Sequence, residues 1–322
     1  MTHSRTRGED TSPITDDIAY GYLGPEATFT EAALLKLLES RREEHATRIA
    51  FSSVETVLRE VASGKLAGAV VPMENSIEGG VPATLDALSR VGDLRILGET
   101  IIPVRFVCAV RPGTRLEDIR AFATHPHGEA QTRAWVQRNL PQASYFPSLS
   151  TAAAARTLAG GTPDFQAALC PLMAAERYGL DTVARDISDR HDAMTRFVLV
   201  GKATQTGAPT GADKTTLVVT LSSDRAGALV EMLEQFSTRG VNLSRIESRP
   251  TGSSLGLYQF SLDAEGHISE SRMSEALSGV HRVARRVVFL GSYPNATGDA
   301  VVVDPVTTDE AFIAAEEWLA SL

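Results

Sequence analysis

SSVETVLREVASGKLAGAVVPMENS, residues 52–76, changes its period half way along. Val54, Val57, Leu58 and Val61 recur at i, i+3, i+4 and i+7, the apolar stripe of a helix, and Ser52 with Glu55 stand in capping-box register ahead of it. Gly64 closes that helix. Leu66 to Val71 form an apolar run of strand length that stops at Pro72, just before Glu74-Asn75-Ser76. The preceding segment repeats the rhythm. Ile18 to Leu23 reads as a strand, Gly24-Pro25 as a turn, and Thr28 onward as a helix carrying Ala32, Ala33, Leu34 and Leu37. A β-α-β order of this kind predicts an α/β fold, a mostly parallel sheet with helices on both faces.

A second such unit begins near Ile101. Phe106 to Val110 reads as a strand, Phe122-Ala123 as a short strand ending at Thr124, and Gln131 to Leu140 as a helix. Ser150 caps a helix over Thr151 to Ala159 that closes at Gly160-Gly161; Ala167 to Cys170 is a strand, and Leu172 to Tyr178 a helix ended by Gly179. Val198 to Gly201 is an apolar strand directly preceded by Thr195-Arg196-Phe197. Two lobes facing one another across a cleft account for this pattern over residues 18–203. The preceding residues, 1–17, are polar and expected to be a disordered tail.

Residues 204–213, TQTGAPTGAD, read as an interdomain linker. Beyond it, Leu217, Val219 and Leu221 alternate as a half-buried strand, and Asp224 caps a helix with Leu229, Leu233 and Phe236 on one face that ends at Gly240. Val241 to Ser248 and Leu257 to Leu262 read as strands, Ser269 to Leu277 as a helix, and Arg286 to Gly291 as a last strand. The order β-α-β-β-α-β over 214–292 is that of a ferredoxin-like domain. In the extension, 293–322, an amphipathic helical pattern (Phe312, Ala315, Leu319) has no role legible from sequence.

Composition narrows the function. The chain of 322 residues has 43% hydrophobic and 22% charged residues, as an ordinary two-domain globular protein does. A net charge of −9 argues against nucleic acid as a partner. Nothing approaches the roughly 18 consecutive apolar residues of a membrane helix, and the first 16 residues lack a signal core, so no membrane association and a cytoplasmic location are expected. Cys108 and Cys170 lie in apolar settings and are expected to be reduced and buried.

Three polar islands each stand at the end of an apolar run: Glu74-Asn75-Ser76, Thr124-His125-Pro126-His127-Gly128-Glu129-Ala130-Gln131, and Thr195-Arg196-Phe197. In α/β folds such positions converge on ligands. Singly each has a plainer explanation: Asn75-Ser76 as a turn, Thr195 as a β-branched strand entry, Glu247-Ser248-Arg249-Pro250 as a strand end. The histidines at 125 and 127 with Glu129 lack a spaced third ligand, so no metal is expected. Gly21 and Gly24 do not form a nucleotide loop, because the GxxxxGK[ST] pattern is missing.

With its motifs in order, the sequence resembles the prephenate dehydratase family, in the form that carries a C-terminal ACT regulatory domain. The resemblance covers roughly Ile18 to Ser292. It rests on Tyr22-Leu23-Gly24-Pro25 with Thr28-Phe29-Thr30, on Pro72-Met73-Glu74-Asn75-Ser76, on the Thr124–Gln131 island, on Thr195-Arg196-Phe197, and on Gly227-Ala228-Leu229 and Glu247-Ser248-Arg249-Pro250. It implies a two-lobed catalytic domain like that of periplasmic binding proteins, joined to the ferredoxin-like ACT domain, and conversion of prephenate to phenylpyruvate without a cofactor. The resemblance implies catalytic roles for Thr195, Asn75, Thr124, Gln131 and Arg196. Thr28, Phe29, Glu74, Ser76 and Phe197 are expected to contact substrate, with Arg196 gripping a carboxylate and Glu74 relaying a proton to Thr195. It also implies a phenylalanine inhibitor at Gly227, Ala228, Leu229, Asn242, Leu243, Glu247, Ser248, Arg249 and Pro250, and a homodimer or homotetramer through the ACT domains. Many relatives have Gln where His127 stands, and often Asn where His191-Asp192 stand. Arogenate dehydratase and a non-catalytic amino-acid sensor are the rival readings.

Overall fold

The computed structural model describes residues 18–202, 206–223, 225–250 and 258–322. The expected tail 1–17, the linker residues Thr204 and Gln205, the expected cap Asp224 and the strand residue Leu257 lie outside the described residues. The first lobe opens with β1 (Ala19–Leu23), α1 (Phe29–Arg41), β2 (Thr47–Phe51), α2 (Val54–Ala62) and β3 (Gly68–Asn75). A short β4 (Gly79–Gly80) folds back on β3, and α3 (Pro82–Arg90) and β5 (Arg95–Pro103) follow. The second lobe comprises β6 (Val107–Val110), β7 (Ala121–Thr124), α4 (Pro126–Asn139), β8 (Ser144–Pro147), α5 (Thr151–Gly160), β9 (Ala167–Cys170), α6 (Leu172–Arg177) and β10 (Asp181–Ala184). The chain then returns to the first lobe as β11 (Met194–Gly201).

The expectation of mostly parallel sheets is corrected. In the first sheet, ordered β2-β1-β3-β11-β5, β1 is parallel to β2 and β3, but β11 is antiparallel to both β3 and β5. The second, ordered β10-β6-β9-β7-β8, divides in the same way. The reason is the path between lobes: β5 leaves the first lobe and β11 re-enters it, so the two must run in opposite directions.

Local chemistry explains the element ends. Thr28 and Ser150 cap α1 and α5, their hydroxyls accepting from the Glu31 and Ala153 amides. The cap of α2 is Ser53, one residue later than expected, because it is Ser53 that holds the extended conformation and accepts from the Thr56 amide. Helix α4 starts five residues before the expected Gln131. His125 is its cap and Pro126 its first residue, a position where the missing N–H costs nothing. Strand β3 does not stop at Pro72 but runs on to Asn75, with Pro72 opposite Phe197 at an irregularity in the β3–β11 pairing.

The small domain is β12 (Asp213–Leu221), α7 (Ala228–Ser237), β13 (Leu243–Pro250), β14 (Tyr258–Glu265), α8 (Ser271–Val283) and β15 (Ala284–Pro294). Its antiparallel sheet is ordered β13-β14-β12-β15, the expected ferredoxin-like arrangement. Its apolar core lies between one sheet face and the two helices, around Leu217, Met232, Phe236 and Leu262. The other face packs on the first lobe: Val218, Leu290 and Tyr293 join one cluster with Val57, Leu58, Leu88 and Ile96. At Gly291 a Cβ would meet the Ile96 carbonyl, so the backbones of β15 and β5 approach as closely as glycine permits.

The last helix, α9 (Asp309–Ala320), is tied to α8 through Asp309, which accepts from the Ser271 amide. Phe312 is half-buried, but Trp318 and Leu319 are exposed, so its expected apolar face is covered only near its start. Cys108 and Cys170 are buried free thiols on adjacent strands. Among the described residues no helix is long and apolar enough to cross a membrane.

Candidate active site

A cleft of about 490 Å³ opens between the lobes, walled by Phe29, Pro72, Phe106 and Phe197. Of the expected site residues it brings together Thr28, Phe29, Asn75, Gln131, Thr195 and Phe197.

At its centre the antiparallel register of β3 and β11 sets Asn75 directly opposite Thr195. The Asn75 Nδ2 donates to Thr195 Oγ1 at 2.9 Å. The other end of the amide is spoken for: Asn75 Oδ1 accepts from the Ile77 and Glu78 amides at 2.8 and 3.2 Å. Two backbone donors at that oxygen fix the amide orientation, so the Asn75 NH₂ necessarily faces Thr195. With a lone pair of Thr195 Oγ1 engaged by that donor, the hydroxyl proton is free to point at a ligand.

Four expected residues stand elsewhere. Arg196 belongs to the strand itself, which begins at Met194, so alternation sends its side chain to the face opposite Thr195 and Phe197. There it is buried, with Nε 2.5 Å from Glu99 Oε2, Nη1 2.5 Å from Asp263 Oδ2 and Nη2 3.0 Å from the Tyr293 hydroxyl. The expected carboxylate grip in the cleft is therefore corrected: Arg196 grips carboxylates of its own chain. Burial opposes its charge, yet Tyr293, Asp263 and Glu99 hold its pKa well above the ordinary value. Glu74 shares that face, 3.3 Å from Arg196 Nη1, away from the Thr195 hydroxyl it was expected to serve. Ser76 Oγ accepts from the Met194 amide, and the fully buried Thr124 hydroxyl donates to the Leu169 carbonyl. Both are spent on the scaffold.

The cleft's electrostatics come from the backbone. The capping residues Thr28, Val81, His125 and Ser150 all line it, so α1, α3, α4 and α5 present their N-termini there. Helix N-termini favour anions. Among the described residues that line the cleft there is no lysine or arginine; the ionisable ones are Glu78, His125 and His127. His127 Nδ1 lies 3.0 Å from Glu78 Oε2, joining the two lobes. His125 has its pKa lowered by burial and then by the neighbouring His127, against a smaller opposing effect of Glu78. Gln131 Oε1 is buried without a hydrogen-bond partner, an acceptor suited to a ligand donor. Glu78, His127, Ser52 and the Gly79–Gly80 wall line the cleft but were not among the site residues expected from sequence. His127 sat in plain view within the Thr124–Gln131 island, whereas Glu78 carried no signal.

In the small domain, Gly227 holds the left-handed conformation at the cap of α7, followed by Ala228 and Leu229. Asn242 and Leu243 follow the other end of that ten-residue helix, and Glu247 to Pro250 end the edge strand β13. Arg249 pairs with Asp86 of α3, its Nε 3.2 Å from Oδ1. The Glu247 carboxylate lies where a Cβ on Gly80 would stand, so one backbone segment touches the cleft on one side and the expected effector segment on the other.

Residues 20–205 match the family model described as prephenate dehydratase. A prephenate dehydratase from Mycolicibacterium vanbaalenii is 42% identical over 311 residues, 94% of this chain and 97% of the relative. One from Mycobacterium tuberculosis H37Rv is 42% identical over 310 residues, covering 95% and 94%. The fold is also that of the Arthrobacter aurescens prephenate dehydratase solved in complex with L-Phe, at 50% identity and a TM-score of 0.88, over 94% of this chain and 99% of that one. By its motifs, its sequence relatives and its fold, this chain belongs to the prephenate dehydratase family.

Proposed function

We propose that this protein removes water and carbon dioxide from prephenate to give phenylpyruvate, with the chemistry centred on the Asn75–Thr195 pair. Prephenate's ring carries a carboxylate and, para to it, a hydroxyl. As the bond to the carboxylate breaks, its electron pair passes through the ring and expels the hydroxyl, which leaves as water after gaining one proton. Aromatisation drives the step, and the substrate supplies its own electron sink. The protein must hold the two carboxylates, aid the leaving oxygen and exclude water.

The observation that carries this reading is the orientation of Asn75, whose amide donates to Thr195 Oγ1 and so leaves the hydroxyl proton available to a ligand. A threonine hydroxyl is too weak an acid to surrender its proton outright near neutral pH, so its role is a strengthening hydrogen bond to the departing oxygen. Gln131 Oε1 is placed to accept from the substrate, Phe29 and Phe197 supply apolar walls, and the helix N-termini meet the carboxylates. Pure protein incubated with prephenate is expected to release phenylpyruvate. Turnover of arogenate to phenylalanine instead, or of neither compound, overturns the assignment.

L-Phenylalanine is proposed as a feedback inhibitor bound at the small domain. Gly227–Leu229 stand at the start of α7 and Asn242–Leu243 beyond its other end, with a ten-residue helix about 15 Å long between them, which supports a site completed by a second chain. A second copy placed along the open edge of β13 supplies the missing half. The exposed Ile246 on that edge, with Leu229 and Val230 on α7, supports such a side-by-side dimer, alone or doubled into a tetramer. Light scattering of the pure protein distinguishes monomer, dimer and tetramer.

A further inference from the structure

We propose that His127 is a substrate-binding residue of this enzyme, the cation that receives one of prephenate's two carboxylates; this rests on the dehydratase reading above. A doubly charged anion must enter a cleft whose described lining contains no lysine or arginine. Arg196, next in sequence to the central threonine, is buried on the far side of β11 against Glu99 and Asp263. Among the described lining residues, only His125 and His127 have side chains able to add positive charge to that of the helix N-termini.

The two imidazoles are not equivalent. His125 Nδ1 accepts the His127 amide at 3.2 Å as the cap of α4, so that nitrogen must be free of a proton. His127 has no such duty. Its ring stands exposed in the first turn of α4, and its Nδ1 is 3.0 Å from Glu78 Oε2 on the β3–β4 hairpin of the opposite lobe. A carboxylate oxygen at that distance accepts a hydrogen bond from Nδ1. The groups facing His127 are Glu78 from the first lobe and His125 from its own helix cap. Glu129, further along α4, is occupied by a two-pronged pair with Arg133.

His127 thus already holds a carboxylate across the cleft mouth. The N-terminus of the fourteen-residue α4 adds its own preference for an anion at the same place. On substrate entry a prephenate carboxylate exchanges with that of Glu78, and no bond is made or broken. The apolar walls and the Asn75–Thr195 pair then orient the ring, while His127 contributes binding to the ground state and the transition state alike.

The test is steady-state kinetics on prephenate for the wild type, His127→Gln and His127→Arg, with circular dichroism to verify folding. His127 is 65% exposed at its side chain, so neither change disturbs the core. Expected is a KM raised about tenfold or more in His127→Gln with kcat within about twofold, and a KM returned toward wild type in His127→Arg, which restores the charge. An unchanged KM in His127→Gln, or a loss confined to kcat, overturns the inference while leaving the dehydratase reading intact. A wild-type protein inert toward prephenate overturns both.

Discussion

Arg196 Nη1 lies 2.5 Å from Asp263 Oδ2, so the arginine that follows the cleft threonine is held by the small domain. The same Asp263 oxygen is 2.9 Å from Arg245 Nε, and Arg245 Nη1 is 3.3 Å from Glu247 Oε2. An unbroken run of charged contacts therefore connects the Glu247–Pro250 segment to β11, where Thr195 and Arg196 occupy opposite faces of one strand. The cleft-facing side of that strand and its anchored side are set by a single backbone.

Asp263 is fully buried, and burial alone would raise its pKa. Arg196 and Arg245 outweigh that effect and hold the carboxyl well below its ordinary value. Asp263→Asn leaves two buried guanidinium groups short of a counter-ion and is expected to cost about 3–5 kcal/mol of stability at pH 7. The unfolded chain takes up a proton on this carboxyl near its usual pKa of about 4, and the folded protein does not. The stabilisation is complete above that pH and is lost as the solution is acidified below it. Denaturant unfolding at pH 7 and near pH 3 checks both points, since the difference between wild type and Asp263→Asn should shrink at the lower pH.

Thr195→Ala removes the hydroxyl that accepts from Asn75 in the cleft. Turnover is expected to fall about 10²-fold or more, the scale of losing one transition-state donor, with a small change in KM. Thr195→Ser keeps the hydroxyl and should retain most of the rate. Asn75→Ala loses both the donor to Thr195 and the tie to the Ile77 and Glu78 amides, so its loss should equal or exceed that of Thr195→Ala. Near wild-type turnover in a folded Thr195→Ala protein removes this residue from the chemistry.

The sequence carried the elements whose ends are set by local chemistry: Ser150 as a cap, and Gly64 and Gly240 as stops with positive φ. It did not carry β2, an edge strand whose residues are nearly all exposed and show no apolar alternation, nor the short edge strands β8 and β10. In the site, Thr195, Asn75 and Gln131 were legible because each stands in a polar island beside an apolar run. Arg196 was misplaced by a single boundary: starting β11 at Met194 instead of Val198 puts the tripeptide under strand alternation and turns the arginine away. Its partners Asp263 and Tyr293 lie in the small domain, and domain docking leaves no periodic trace in sequence.

Arg249 of the edge strand reaches across to Asp86 on α3, linking the proposed effector segment to the wall of the first lobe. Arg249→Ala breaks that link and removes a polar contact from the proposed phenylalanine site. The ratio of prephenate turnover with and without saturating phenylalanine is expected to rise toward one, as loss of a coupling of about 1–3 kcal/mol would produce. A variant inhibited as strongly as the wild type places Arg249 outside the regulatory route.

Cys108 and Cys170 are both buried, and burial pushes the Cys108 thiol up to about 12 and that of Cys170 higher still. The thiolate is the reactive form, so native protein at pH 8 should label very slowly with a thiol reagent. Labelling that speeds up in step with global unfolding in denaturant agrees with this. Rapid labelling of either cysteine in the native state contradicts the burial.

His125 couples the site to mild acid. Burial first, and the neighbouring His127 second, lower its pKa below the ordinary value of 6.5, while its Nδ1 must stay unprotonated to cap α4. The unfolded chain therefore gains a proton here near pH 6.5, and the folded protein only at lower pH. This contribution to stability is fully present above pH 6.5 and is lost as pH falls below it. His125→Asn keeps a capping side chain but cannot titrate, so it should retain the helix while removing this part of the slope. Unfolding midpoints measured from pH 7.5 to 5.5 are expected to decline less in His125→Asn than in the wild type, and parallel curves would show that His125 does not titrate differently in the two states.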